Sequence, residues 1–478
     1  MAAARRAPAR SRPRRGDPVR TVVLQVLREV AESDSYANLL LPVALRRAGL
    51  TGRDAALATE LTYGTLRGAG TYDAILSTCV HQDLGGLDPG VLELLRLGSH
   101  QLLRTRIPTH AAVGETVALA RASVGSGASG LVNAVLRKVA ARSWDAWLEI
   151  ITAGVGDPDR RLALLHAHPV WIVRALRMAL AGSDDPAGEL VAALAANNEP
   201  PRVTLLAVPG LIDVPGLARQ AAAAGIQTQP GRFSPWALRL AGRDPAALPA
   251  VAQRCARVQD EGSQLVAGAL AGLPVHGGEQ HWMDLCAGPG GKTAVLAGLA
   301  PAGVRVTAVE PAAHRARLVE DALPAQLAGR VEVRTGDGRD PAVTGQPGPG
   351  WAGYDRVLVD TPCTGLGALR RRPEARWRRQ PGDLAALGPL QRELLSAAVR
   401  MTRPGGIIAY TTCSPHPAET AAVVQDVLGG RDDVSLVDAA PALPGQVPAA
   451  ALGPFAQLWT HRHGTDAMFL ALLRVLNR

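Results

Sequence analysis

The stretch that most constrains this chain runs Trp282-Met283-Asp284-Leu285-Cys286-Ala287-Gly288-Pro289-Gly290-Gly291-Lys292-Thr293. A short apolar run ends there in a glycine-rich turn, and residues 293–299 carry a helical apolar pattern. The combination predicts a strand–loop–helix unit whose glycines let the backbone approach a ligand closely. A phosphate-binding P-loop would need glycine five places before the Gly-Lys-Thr, where Cys286 stands, so that reading fails. A plain tight turn is the remaining simple competitor, and the spacing downstream argues against it. The apolar run 304–309 ends at Glu310, the run 331–335 leads to Asp337, and 356–359 leads to Asp360 and Thr361-Pro362-Cys363. A further run, 407–412, ends at Cys413-Ser414-Pro415. In an open parallel sheet, ligands bind outside the carboxyl ends of the strands, so these residues are expected to converge on one crevice. Glu310 follows the glycines by about 20 residues, where a carboxylate can take the hydroxyls of a ribose.

With 478 residues the chain is long enough for two to four domains with full-sized cores. No uninterrupted apolar run reaches the length that crosses a bilayer, and the segment after Met1 has no apolar signal core, so a cytoplasmic protein without membrane contact is expected. The five cysteines (79, 255, 286, 363 and 413) are far apart, form no Cys-x-x-Cys pair and suggest neither a disulfide framework nor a metal site. Of the net charge of +9, the first 20 residues carry six, with seven arginines against one aspartate. Residues 1–16 therefore read as a disordered basic arm able to hold nucleic acid non-specifically. Lysine occurs at Lys138 and Lys292 alone, both inside motifs singled out here, and arginine does every other basic task.

Residues 17–142 read as helical throughout. Asp17-Pro18 and Asp88-Pro89 each pair an N-cap with proline at the first helical position, and Val91, Leu92, Leu94, Leu95 and Leu102 keep one apolar stripe. Within this segment, Thr62-Tyr63-Gly64-Thr65-Leu66-Arg67, Ile107-Pro108-Thr109-His110-Ala111-Ala112-Val113 and residues 130–138 resemble the NusB family of helical RNA-binding domains. Gly114 stands where that pattern has asparagine. Residues 143–255 read as a small α+β linker region, with Trp144, Trp147 and Trp171 as core anchors and a strand leaving Asn197-Asn198-Glu199-Pro200-Pro201 over 202–208. Residues 256–478 then form the expected α/β domain, opened by Gln259 and Asp260, which are expected to shape its cleft.

Taken together, Asp-x-Cys-Ala-Gly-Pro-Gly-Gly-Lys-Thr at 284–293, Asp-Thr-Pro-Cys-Thr-Gly at 360–365 and Thr-Thr-Cys-Ser-Pro at 411–415 resemble the Sun family of RNA cytosine-5 methyltransferases. Arg371-Arg372-Pro373-Glu374 and Gln391-Arg392-Glu393-Leu394-Leu395 extend the likeness over 256–478. With a NusB-like domain in front, the whole chain resembles the members that modify bacterial small-subunit (16S) ribosomal RNA. Gly288 replaces the usual alanine, Thr361 an alanine and Thr364 a serine, all small-for-small changes. The fold class so implied is multidomain: an N-terminal all-α NusB-like bundle, the α+β linker and a C-terminal Rossmann-like methyltransferase.

Carbon 5 of cytosine is too poor a nucleophile to take a methyl group from a sulfonium unaided. A thiolate adding to carbon 6 makes carbon 5 enamine-like and reactive; the carbon-5 proton and the thiolate must then leave. Such chemistry wants one ionisable cysteine as nucleophile and a second group to assist release. Cys363 and Cys413 are both placed for it, and the residues alone do not rank them. The family resemblance assigns the nucleophile to Cys413 and product release to Cys363. It also implies that Cys286, Ala287, Gly288, Pro289, Gly290, Gly291 and Lys292 cradle S-adenosyl-L-methionine, that Glu310 binds its ribose and Asp337 its adenine edge, and that Asp360 sits between the cofactor and the base. Cys79 and Cys255 read as inert core cysteines. Arg370, Arg371, Arg372, Arg376, Arg378 and Arg379, around Trp377, adjoin the reaction centre and are expected, with Lys138, to hold RNA phosphates. The expected partner is small-subunit ribosomal RNA, bound as an unstacked base by a monomer. The competing readings are a cytosine-5 methyltransferase for another RNA such as tRNA, and a non-catalytic RNA-binding or antitermination factor.

Overall fold

The computed structural model describes residues 17–33, 35–242, 244–345 and 351–476. The basic arm expected over residues 1–16 lies outside them. The chain divides into two compact units, one holding the residues up to Val173 together with Arg371–Arg378, the other Arg174–Arg370 and Arg379–Arg478.

The first unit is helical. Asp17 caps the helix Pro18–Glu32 by accepting from Val19 N at 2.9 Å, and Asp88 caps Pro89–Arg104 by accepting from Val91 N at 3.1 Å. Each cap satisfies an amide the helix start leaves open, worth about 1 kcal/mol. Around them run Ala37–Ala48, the long helix Gly52–Cys79, Thr109–Ser123 and Ser126–Ala140. They enclose one core built on Val23, Leu27, Leu61, Ile75, Leu94, Leu95 and Leu136. The helix Trp144–Thr152 joins this unit: Trp147 is buried and its indole N–H donates to Val139 O at 2.9 Å, as its expected anchoring part requires. Lys138 Nζ donates to Cys79 O at 2.8 Å, closing the end of the long helix.

The region 143–255 does not stand as a unit of its own. Its first helices go with the helical unit, while the strands β1 (Val203–Ala207), β2 (Thr228–Pro230), β3 (Ala237–Leu240) and β4 (Ala256–Val258) go with the second. They form a small antiparallel sheet in the order β2-β3-β1-β4 around Leu205, Leu217, Leu238 and Leu248.

The larger sheet of the second unit holds the site. Its strands are β5 (His281–Asp284), β6 (Arg305–Glu310), β7 (Val331–Thr335), β8 (Tyr354–Asp360), β9 (Thr402–Thr412), β10 (Val434–Val437), β11 (Ala451–Leu452), β12 (Phe455–Gln457) and β13 (Phe469–Val475). The order is β11-β12-β13-β9-β8-β5-β6-β7, with β10 also paired to β13. From β7 to β9 the strands are parallel, as the runs of apolar residues predict; β13 is antiparallel to β9, so the sheet is mixed rather than wholly parallel. Alternate residues feed two cores. Trp282, Val306, Leu358 and Ala409 meet the helices Glu261–Gly272 and Gly291–Leu299, while Met283, Val357, Ile408 and Tyr410 meet Pro381–Met401. Both faces are therefore covered, and the ligand site is left to the strand ends.

Candidate functional site

The strand ends do converge. β5 passes into the loop at Leu285, whose amide donates to Leu358 O at 2.8 Å, and Ala287 N donates to Val309 O at 2.9 Å. The loop is thus stitched to both neighbouring strands before it turns. The turn is made by Gly290, at φ +85°, which caps the helix Gly291–Leu299. A side chain there would adopt a strained backbone and bring its Cβ within 3.1 Å of Val319 Cα. Arg257 holds the turn from outside, donating to Gly290 O at 2.9 Å and Pro289 O at 3.2 Å. Gln259 faces Gly291, its side chain 3.5 Å from where a Cβ would stand, so it does border the loop.

Glu310, at the end of β6, is buried. Its Oε2 accepts from Gly288 N at 3.1 Å and its Oε1 from Ala312 N at 3.1 Å, and the guanidinium of Arg315 stands 3.4 Å away while donating to Gly288 O. A carboxylate has about four acceptor positions, and with Gly288 N and Arg315 both facing Oε2, Oε1 keeps one for a ligand hydroxyl. This donor and acceptor set, beside a loop without bulky side chains, fits the ribose of a nucleoside cofactor. Asp337 lies half-exposed after β7, with Arg339 Nη2 at 2.5 Å; that guanidinium holds its carboxyl below the ordinary aspartate range.

Lys292 and Asp360 form an ion pair at 2.7 Å. Burial works against the Lys292 ammonium, but Asp360 outweighs it and keeps its pKa above the ordinary lysine value; Cys413 is a further negative neighbour. Sequence reasoning passed over Asp284 as a site residue. It is fully buried, accepts from Thr293 Oγ1 at 2.7 Å, and burial pushes its carboxyl up to about 7, with Asp360 adding to the rise. Burial likewise pushes the Cys286 thiol well up, so it is an unreactive lining group.

The two candidate cysteines meet: Cys363 Sγ and Cys413 Sγ are 3.4 Å apart, both half-buried thiols. Cys363 follows β8 and Cys413 follows β9, adjacent parallel strands in register at Asp360 and Thr411. The Thr361 amide donates to Thr411 O at 3.1 Å, and Gly367 N donates to Cys413 O at 2.8 Å. The bond with Cys413, followed by burial, pushes the Cys363 thiol well above its ordinary value.

The arginine run is not a phosphate-facing strip. Arg370 is buried and bound to Asp466 at 2.9 Å and Asp260 at 3.0 Å, which makes Asp260 a partner of that ion triad. Arg376 has no exposed surface and donates to Arg67 O at 3.4 Å and Ala167 O at 3.0 Å inside the helical unit. Arg378 donates to the carbonyls of Val30, Ser33 and Ser35, and Trp377 Nε1 donates to Leu66 O at 3.0 Å. Their cationic groups are consumed by main-chain acceptors. Arg372 is exposed, over the Tyr36 ring at 5.1 Å, and Arg379 pairs loosely with Asp383 at 3.6 Å. Arg371 is half-buried and belongs to the helical unit.

Residues 273–474 match the family described as 16S rRNA methyltransferase RsmB/F, and residues 17–141 match the NusB family. A protein of Mycobacterium tuberculosis that carries a methyltransferase name is 50% identical over 465 residues, which span 96% of this chain and 97% of its own. Ribosomal RNA small subunit methyltransferase B of Klebsiella pneumoniae is 33% identical over 434 residues, covering 90% and 94%. Among solved structures, PH0851 shares the fold, with a TM-score of 0.78 and 20% identity over 96% of this chain and 99% of that one.

Proposed function

We propose, on the premise that this chain belongs to the RsmB/F family of 16S ribosomal RNA methyltransferases, that it methylates carbon 5 of a cytosine in small-subunit ribosomal RNA by way of a covalent cysteine adduct. The observation that carries the reading is the pair of thiols 3.4 Å apart at the ends of adjacent strands, beside the Lys292–Asp360 ion pair. A single cysteine would serve an ordinary methyl transfer no better than none. Two in contact suit a reaction that must both form and break a carbon–sulfur bond.

S-Adenosyl-L-methionine supplies the electrophilic methyl group when bound. Glu310 and the Gly288–Gly291 turn would hold its nucleoside, Asp337 the adenine edge, and Ala287 and Lys292 the remainder of the loop contact. Cys413 adds to carbon 6 of the flipped base. Asp360, steadied by Lys292, would hydrogen-bond the cytosine edge. Carbon 5 then takes the methyl group and loses its proton to solvent, and as that bonding pair restores the ring double bond Cys363 assists the departure of Cys413 from carbon 6. Arg372, Arg379, Arg371 and Lys138 remain the cationic groups proposed for RNA phosphates, and the work is assigned to a monomer in the cytoplasm.

The test is transfer of tritiated methyl groups from labelled cofactor to small-subunit ribosomal RNA, with sequencing of bisulfite-resistant cytosines. Cys413→Ala is expected to abolish transfer. Cys363→Ala is expected to accumulate an enzyme–RNA adduct stable to denaturant. Ordinary turnover by Cys413→Ala would overturn the assignment of roles, and no incorporation into any RNA would favour a non-catalytic RNA-binding factor.

A further inference from the structure

The carboxylate of Glu419 lies just beyond the Thr-Cys-Ser turn, fully buried, and the reaction outlined above gives it no part. Its Oε1 accepts from Thr364 N at 2.8 Å and from Gln391 Nε2 at 3.3 Å, and its Oε2 accepts from Thr364 Oγ1. Gln391 Nε2 also donates to Pro362 O at 2.9 Å. Both peptide neighbours of Cys363 are therefore clamped, Pro362 by Gln391 and Thr364 by Glu419. Thr364 Oγ1 reaches on to Ser414 Oγ at 3.3 Å, the residue after Cys413. Tyr410 OH donates to Glu419 O at 2.8 Å, fixing the acid's own backbone to β9. One bonded cluster thus sets the position of both sulfurs.

The surroundings of the two sulfurs are asymmetric. Cys363 has the buried Glu419 carboxylate beside it, with the Tyr410 phenol and Cys413 as its other titratable neighbours. Cys413 counts among its neighbours the Lys292 ammonium, itself paired with Asp360, and Cys363. A second negative charge next to a buried carboxylate is costly, whereas one near an ammonium is favoured.

We propose that Glu419 is a positioning residue that decides which of the two thiols ionises: it fixes Cys363 against Cys413 and keeps negative charge off Cys363. The inference rests on the two-cysteine reading above and explains the order of the cysteines that the residues alone leave open. Gln391 is its accessory, holding the other flank of Cys363. In Glu419→Gln the amide can keep the Thr364 N–H on its oxygen while its NH2 turns to the Thr364 hydroxyl, which then donates to Ser414. Shape is retained and charge removed.

The experiment needs neither RNA nor cofactor, so a failure of the cytosine-5 reading leaves it intact. In the full chain carrying Cys413→Ser, alkylation of Cys363 by iodoacetamide is followed against pH by mass spectrometry of its peptide. The expected midpoint lies above that of the same cysteine in denatured protein. Adding Glu419→Gln, with cooperative melting retained, is expected to speed the alkylation at pH 8 by about tenfold. An unchanged pH profile in the double variant overturns the proposal. Should that variant fail to fold, the Cys363 midpoint in the Cys413→Ser protein is compared with the Cys413 midpoint in a Cys363→Ser protein: a Cys363 midpoint at or below that of Cys413 overturns the proposal, and one above it supports it.

Discussion

Gly288 shows how much a single position can hide. As a word in the motif it is a small-for-small exchange for alanine. In the structure a Cβ there would stand 2.3 Å from Glu310 Oε2 and 2.8 Å from the Arg315 guanidinium, so the exchange is tied to the arrangement of Glu310. Asp284 hides a different property. Its spacing before the glycines was plain, but only complete burial reveals that its carboxyl titrates near 7 rather than 3.8. The sign follows: the folded chain binds a proton that the unfolded chain has released, so this residue lowers stability as pH rises between those values. Asp284→Asn should therefore raise the melting temperature relative to the parent more at pH 8 than at pH 5. Equal increments at both, measured on the cofactor-free protein, would contradict a neutral buried acid.

Among elements, the helix Gly52–Cys79 carries the clearest lesson. The Thr-Tyr-Gly-Thr-Leu-Arg motif at 62–67 resembles a piece of an RNA-binding domain, but its Leu66 and Arg67 carbonyls accept from Trp377 and Arg376. Gly64 makes room for His100, whose ring a Cβ would meet at 2.2 Å, and Gly70 does so for Trp377 at 2.3 Å. The capped helix starts and strand ends were legible because their causes lie within a few residues: Asp17 and Asp88 bond amides two and three positions on. The arginine run was not, because the partners of Trp377 lie 311 positions away. Burial lowers the Arg376 pKa to about 9, yet its charge is held by main-chain oxygens. Arg376→Leu would take the buried guanidinium from those carbonyls, costing about 1–3 kcal/mol. We expect a lower melting temperature and no change in the slope of RNA affinity against salt; a shallower slope at unchanged melting would return this arginine to the RNA interface.

For the whole molecule, the two chief domains could be read from pattern, the mixed sheet only in part. The strands Val434–Val437 and Phe469–Val475 lie outside the Gly-rich, Pro-Cys and Thr-Cys-Ser motifs, so nothing in the chemistry drew attention to them. The residues 143–255 divide between the two units, and hydropathy does not say which core a helix joins. Trp147 on Val139 does. Among the described residues no helix is long and apolar enough to cross a membrane. Charge also acts at this scale. Residues 1–16 hold six arginines, and if all met phosphates of single-stranded RNA, their removal would flatten the logarithmic salt dependence of binding by about 4. An unchanged slope would take the arm off the RNA.

The assignment of Arg371–Arg378 to the helical unit has one more consequence, for how the protein can be taken apart. No single scission of the polypeptide yields both halves whole. A fragment begun after Val173 carries away the Trp377 and Arg376 side chains with nothing to receive them, and its complement keeps an empty berth along Gly52–Cys79. Added in trans, the eight-residue peptide is the natural plug for that berth.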